Sequence, residues 1–113
     1  MKKSIFLFAI FVGVAVSVSS AFIEDKKESV STVSEALKMK DDRMVTVQGH
    51  ITKQIKKDTY LFSDSTGEIT VEIDEKDWKG VDVRPSDTVQ LFGEIDKDWT
   101  KTEIDVVSVK LIQ

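Results

Sequence analysis

The sequence predicts a mainly β domain, a small closed five-stranded barrel with a short N-terminal α-helix. Three observations predict it. Apolar and polar residues alternate along five short runs between Met44 and Leu111. Two of these runs hold an interior glycine, Gly49 and Gly93, which costs stability in a straight strand and serves one that must bend. The chain of 113 residues is also short enough that one small core must account for all of it.

The first 21 residues are expected to stand outside that domain. MKKSIFLFAIFVGVAVSVSSA opens with two lysines, continues as an apolar run from Ile5 to Val16 and ends in small residues, the pattern of a secretory signal peptide. The apolar core is shorter than the roughly 20 residues a spanning helix needs, so no stable membrane insertion is expected after cleavage. Cleavage after Ala21 would remove Lys2 and Lys3 and leave 14 basic against 20 acidic residues. So acidic a surface disfavours nucleic acid, whose phosphates are bound by neutralising them with Lys and Arg. The chain has no cysteine, which excludes disulfides, thiol chemistry and a lipid-modified cysteine at the cleavage site. The expected location is the periplasm.

Residues 22–30, FIEDKKESV, are charged and without strong periodicity and read as a leader; residues 31–113 read as the folded domain. Thr32-Val33-Ser34-Glu35 matches a capping box, and Val33, Ala36 and Leu37 follow at helical spacing before Asp41-Asp42 closes the helix. From Met44 the period changes to two, giving a long first strand with Gly49 as its bend. Thr59 to Ser63 is the second strand. Asp64-Ser65-Thr66-Gly67 is a turn signal, with the aspartate bonding the backbone and the glycine taking positive φ. Glu68 to Ile73 is the third strand, with Ile69, Val71 and Ile73 facing in. Asp74 to Gly80 reads as a short irregular or helical link, and Val83 to Asp87 as a turn. The fourth strand runs from Thr88 to Asp96 and the fifth from about Glu103 to Leu111, where the inward phase slips and predicts a bulge near Val106. Five short strands with interior bends and a helix fit the five-stranded Greek-key barrel known as the OB-fold.

This fold places the candidate sites. Tyr60 and Phe62 share one face of the second strand, opposite to Leu61. In OB-folds the outer face around strands two and three binds oligonucleotides or oligosaccharides. Tyr60, Phe62, Thr70 and Glu72, with His50 from strand one, are therefore the expected ligand-binding surface; the competing expectation is that the helix covers Tyr60 or Phe62 and makes them core. Two near-repeats, EIDEKDW at 72–78 and EIDKDW at 94–99, each end in a tryptophan. Trp78 and Trp99 are expected to cap the barrel ends, and their rings are also candidate stacking platforms for a sugar. Asp74, Asp77, Asp96 and Asp98 are the metal candidates, since clustered carboxylates suit hard divalent cations. Neither repeat matches the calcium loop of EF-hands, and Lys76, Lys79, Lys97 and Lys101 stand beside the acids as ion-pair partners, so the expectation is no metal and no cofactor.

No enzyme signature is present. There is one histidine, no G-x-S-x-G and no phosphate-binding or dinucleotide fingerprint. Two functions of different class remain. One is a binding module for a cell-envelope glycan such as a peptidoglycan fragment. The other is an acidic protein that sequesters divalent metals or cationic peptides through its surface carboxylates. Oligomeric state is open.

The run TVSEALKMKDD, then VQGHI, YLFSDSTGEITVEIDEKDW, GEIDKDW and EIDVVSVK resembles the bacterial OB-fold family of exported stress-tolerance proteins, the YgiW/YdeI type. The resemblance covers about Thr32 to Lys110. Its most specific element is Tyr60-Leu61-Phe62-x-Asp64-x-x-Gly67-x-Ile69 followed by the two acidic-tryptophan segments in order. It implies a periplasmic OB-fold domain linked to tolerance of oxidative, metal, acid or antimicrobial-peptide stress, without established catalysis. The leader FIEDKKESV departs from the Gly- and Pro-rich start of many members.

Overall fold

The computed structural model describes residues 29–112. The expected signal peptide, 1–21, and most of the leader lie outside the described residues.

The elements are α1 (Val33–Ala36), β1 (Met44–Lys56), β2 (Thr59–Asp64), β3 (Gly67–Ile73), α2 (Glu75–Trp78), β4 (Val89–Lys97) and β5 (Thr102–Leu111). The strands form a closed barrel in the order β1-β2-β3-β5-β4. All pairs are antiparallel except β3 with β5, which is parallel and closes the ring. This is the OB arrangement that the alternating runs predict.

The interior bends have a geometric cause. β1 pairs with β4 from Met44 to Gly49 and with β2 from His50 onward, so its partner changes at Gly49. A Cβ at Gly49 would be driven into the Ser63 carbonyl, and one at Gly93 into the backbone of Asp105. Each glycine marks a place where two strands approach too closely for a side chain. The expected bulge is in β5: Phe92 faces Ser108 while Gly93 faces Val106, leaving Val107 as the extra residue.

The capping box forms as the sequence predicts. Thr32 Oγ1 accepts from the Glu35 amide at 3.1 Å, and Glu35 Oε1 accepts from the Thr32 amide at 2.9 Å. The helix is shorter than its spacing suggests. It ends at Ala36, with Val33 and Ala36 buried and Leu37, expected to continue the inner face, exposed. Met39 packs against the core beyond it. Asp64 does two jobs in the β2–β3 hairpin: Oδ1 accepts from the Thr66 amide and hydroxyl, and Oδ2 accepts from the Val33 amide at 2.9 Å. One side chain thus closes the turn and docks the helix. Gly67 does not take the positive φ expected of it, because the turn needs no left-handed residue once Asp64 holds it.

The core is Val33, Ala36, Val45, Val47, Ile51, Phe62, Ile69, Val71, Ile73, Val89, Leu91, Ile95, Ile104 and Val106. Its members come from the helix and from all five strands, so no single element is stable without the others.

Candidate ligand-binding site

Phe62 cannot be part of an outer binding face. The Asp64–Gly67 hairpin sets the register so that Phe62 lies opposite Ile69 and Tyr60 opposite Val71. Directly opposed residues of an antiparallel pair share a face, and Ile69 and Val71 point inward. Phe62 is therefore core, fully buried, while Leu61 faces outward opposite Thr70. The signal was available in the sequence: a two-residue hairpin loop at Ser65-Thr66 fixes this pairing without further information.

Tyr60 shares the inward direction but sits near the start of β2, at the end of the barrel, and is half-buried. Its ring meets Trp78 edge to face, with centroids 5.5 Å apart and planes at 80°. Such a T-shaped pair is held by the opposite charge of ring edge and ring face. The two rings lie in the wall of an open cavity of about 590 Å³, lined also by Ile51, Lys53, Gln54, Glu75, Gly80, Val81, Asp82, Val83 and Pro85. That volume falls within the roughly 300–1,000 Å³ of small-ligand sites, and the lining joins apolar and aromatic side chains to four polar ones, Lys53, Gln54, Glu75 and Asp82.

One wall is the segment from Lys79 to Asp87. Lys79 and Gly80 both take positive φ, 50° and 78°, turning the chain away from α2. At the other end Asp87 closes a turn on Arg84: the Arg84 amide donates to Asp87 Oδ2, and the Asp87 amide to the Arg84 carbonyl. His50 pins this turn to the barrel through Nδ1, 2.8 Å from the Asp87 carbonyl, so Nδ1 carries the proton and donates. The lone histidine thus positions the wall of the cavity and does not line it. The sequence predicts the turn at Val83 to Asp87 but not that the segment walls a cavity. The wall's one sequence signal is the pair Lys79-Gly80 and Arg84-Pro85, which brackets an apolar Val81-x-Val83 too short for a strand.

The other predicted residues lie elsewhere. Thr70 and Glu72 are on the outer face of β3, beside Glu103 and Asp105 of β5. Trp99 does not cap the barrel: it is 96% exposed at the tip of the β4–β5 hairpin. There Asp98 Oδ1 accepts from the Thr100 amide and hydroxyl and the Lys101 amide, and these bonds hold the Asp98 carboxyl below its usual range. With those contacts strands β4 and β5 are already joined, and nothing remains for the indole to cover.

Asp74 and Asp77 share Lys76, at 3.4 and 3.7 Å. Among the described residues no three His, Asp or Glu side chains come together in a way that would hold a metal ion. Asp74, Asp77, Asp96 and Asp98 therefore form no common site. What the barrel does assemble is a row of acids across three strands. Glu72 lies opposite Asp105, and Asp105 opposite Glu94. Partial burial pushes all three carboxyls above their usual values; Asp105 adds to the effect at Glu72, Asp74 and Asp96 at Asp105, and Asp42 at Glu94.

A closed five-stranded barrel of this order, with a helix docked by its hairpin, defines an OB-fold protein. Residues 15–111 match the family described as bacterial OB fold (BOF) protein, and the chain belongs to that family. It is 48% identical over 84 residues to protein YgiW of Escherichia coli, covering 74% of this chain and 65% of that one. It is 42% identical over 85 residues to the calcium-regulated OB-fold protein CarO of Pseudomonas aeruginosa, covering 75% of this chain and 73% of the relative. The solved structure of YgiW from E. coli superposes with a TM-score of 0.74 at 47% identity, covering 75% of this chain and 91% of that one. The match thus spans just under two thirds of the full length of YgiW.

Proposed function

We propose that this chain is an exported, non-enzymatic binding protein of the bacterial periplasm that contributes to envelope stress tolerance by recognising a cell-envelope glycan, such as a peptidoglycan fragment. The observation that supports this reading is the cavity walled by Tyr60 and Trp78. Aromatic rings beside a few polar side chains suit a sugar, which offers an apolar C–H face to a ring and hydroxyls to its polar neighbours. The location rests on the signal-like N-terminal sequence. The site is the inward end of β2 and not its outer face, since Phe62 is core.

The test is a thermal-shift titration of residues 22–113 with soluble peptidoglycan fragments, because a ligand of the folded state raises the melting temperature by mass action. A saturable rise that persists in high salt and disappears in a folded Tyr60→Ala variant supports the reading. No rise with any fragment, or an undiminished rise in that variant, overturns it.

The row Glu72–Asp105–Glu94 favours a second reading, capture of cationic stressors by surface carboxylates. Its signature is a shift with a basic peptide or a divalent cation that fades with salt and is indifferent to Tyr60 and Trp78.

A further inference from the structure

The charges around the cavity narrow the kind of glycan it accepts. Glu75 and Asp82 both line it, and among the described residues neither has a salt-bridge partner. Lys53 is the one cationic side chain in the lining. Lys76, next to Glu75 in α2, is already engaged by Asp74 and Asp77 and leaves Glu75 unneutralised. The aromatic walls act in the same direction, since the faces of Trp and Tyr attract a cation within about 6 Å. Two unpaired carboxylates, one lysine and two π-faces make an environment that favours positive charge on its ligand.

We propose that the glycan taken by this cavity carries a free amine, a deacetylated aminosugar in preference to its N-acetylated or neutral counterpart. The inference rests on the glycan-binding reading above. The ammonium is received by Glu75, Asp82 and the face of one ring, while the other ring of the perpendicular Tyr60–Trp78 pair stacks on the sugar plane. Lys53 and Gln54 are left to hydrogen-bond hydroxyls or the ring oxygen. N-acetylation removes the charge and adds bulk, and a neutral glucan offers neither carboxylate an ionic partner. One ammonium engaging an exposed carboxylate and an aromatic face amounts to a preference of about tenfold in affinity.

The test uses the protein recovered from expression of the full chain, titrated by calorimetry with glucosamine tetramer, N-acetylglucosamine tetramer, a glucose tetramer and tetralysine, at slightly acidic pH where the sugar amine is charged. The expected result is that glucosamine tetramer binds about tenfold more tightly than the N-acetylated form. A Glu75→Gln, Asp82→Asn double variant should bring the two to parity, and Tyr60→Ala should weaken both. Both sites are at the surface, and the melting temperature of each variant checks that it is folded. Equal or tighter binding of the N-acetylated tetramer overturns the free-amine inference and leaves the glycan reading standing. If no sugar binds, both fall. Tetralysine binding as tightly as glucosamine tetramer and surviving Tyr60→Ala also overturns the inference, because the surface then responds to charge alone.

Discussion

EIDEKDW at 72–78 and EIDKDW at 94–99 differ by one inserted residue, and the fold treats them in opposite ways. In the first, β3 stops at Ile73 and the next residues wind into α2, which brings Trp78 against Tyr60 in the cavity. In the second, β4 runs on through Lys97 and turns at Asp98, which leaves Trp99 in solvent. The two residues after each tryptophan decide between these outcomes. Lys79-Gly80 can take successive left-handed conformations and fold the chain back over the tryptophan. Thr100-Lys101 instead supplies the amides and hydroxyl that Asp98 needs to close a hairpin. A repeated motif is thus no guarantee of a repeated role, because its acids and tryptophan take their conformation from flanking residues and strand partners.

The contrast can be broken at several points, and the largest effect is expected just ahead of the second segment. Gly93 precedes Glu94 where Val71 precedes Glu72, and a Cβ at Gly93 would meet the Val106 Cα at 2.8 Å as well as the Asp105 carbonyl. Gly93→Ala should cost about 3 kcal/mol in urea unfolding, since two backbones must part to admit it. Gly80→Ala, with open space around it but φ at 78°, should cost roughly 1 kcal/mol. Equal losses at the two glycines would show that Gly93 has no special packing role.

Next come the tryptophans. Trp78→Ala removes a half-buried ring and its partner contact and should destabilise by roughly 2 kcal/mol, whereas Trp99→Ala should stay within about 0.5 kcal/mol. Fluorescence separates the same pair: the emission of Trp99 should be that of a solvated indole and that of Trp78 bluer, read from the two single-tryptophan variants. A third and smaller difference concerns the acids. Asp98→Ala removes three accepted bonds and should lower the melting temperature measurably, while Asp74→Ala, which loses only an exposed pairing with Lys76, should leave it nearly unchanged.

The smallest effect is on pH dependence, where the two segments meet. Glu72 and Glu94 head the two segments and flank Asp105. Their folded-state pKa values are raised above 4.5, and that of Asp105 above 3.8. For an acid so shifted, the folded state binds protons more readily than the unfolded state, so stability is gained as pH falls from neutrality toward those unfolded values. Asp64 and Asp98 are shifted the other way, below 3.8, so the stability they contribute is present above that value and is lost as pH falls through their folded pKa values. The melting temperature should therefore rise from neutral pH to mildly acid pH and fall again in stronger acid. In Asp105→Asn the acid-side rise should shrink; an unchanged profile would show that the row is not coupled.

Much of the barrel was legible because its signals are local. The alternation in β3 and β4, the capping box at Thr32 and the phase slip at Val107 each need only neighbouring residues to be read. The orientation of Tyr60 and Phe62 needs one more step, the hairpin register, and without it the sequence leaves both open between the outer face and the core, where Phe62 lies. Leu37 and Trp99 were misplaced for a different reason. Whether an apolar side chain is covered depends on what lies across from it, and neither the Met39 packing nor the self-sufficient Asp98 turn announces itself in composition. The cavity was the least legible feature. It is assembled from β1, β2, α2 and the Lys79–Asp87 wall, and that wall is pinned to the barrel by a bond from His50 to a carbonyl 37 residues away.

The parallel β3–β5 pair has a kinetic consequence. Thr70 to Ile73 find their partners at Glu103 to Val106, with all of β4 threaded between, so the ring can close only once β5 is present. During synthesis, with the N-terminus leading, β3 would wait with an unpaired edge and with Ile69, Val71 and Ile73 lacking their final cover. An edge of that kind is a template for pairing with other chains, and such long-range closure is slow. A C-terminal truncation that removes β5 should therefore do more than lower stability. It would leave the molecule permanently in its most adhesive intermediate, so β5 acts as the protein's own guard against aggregation.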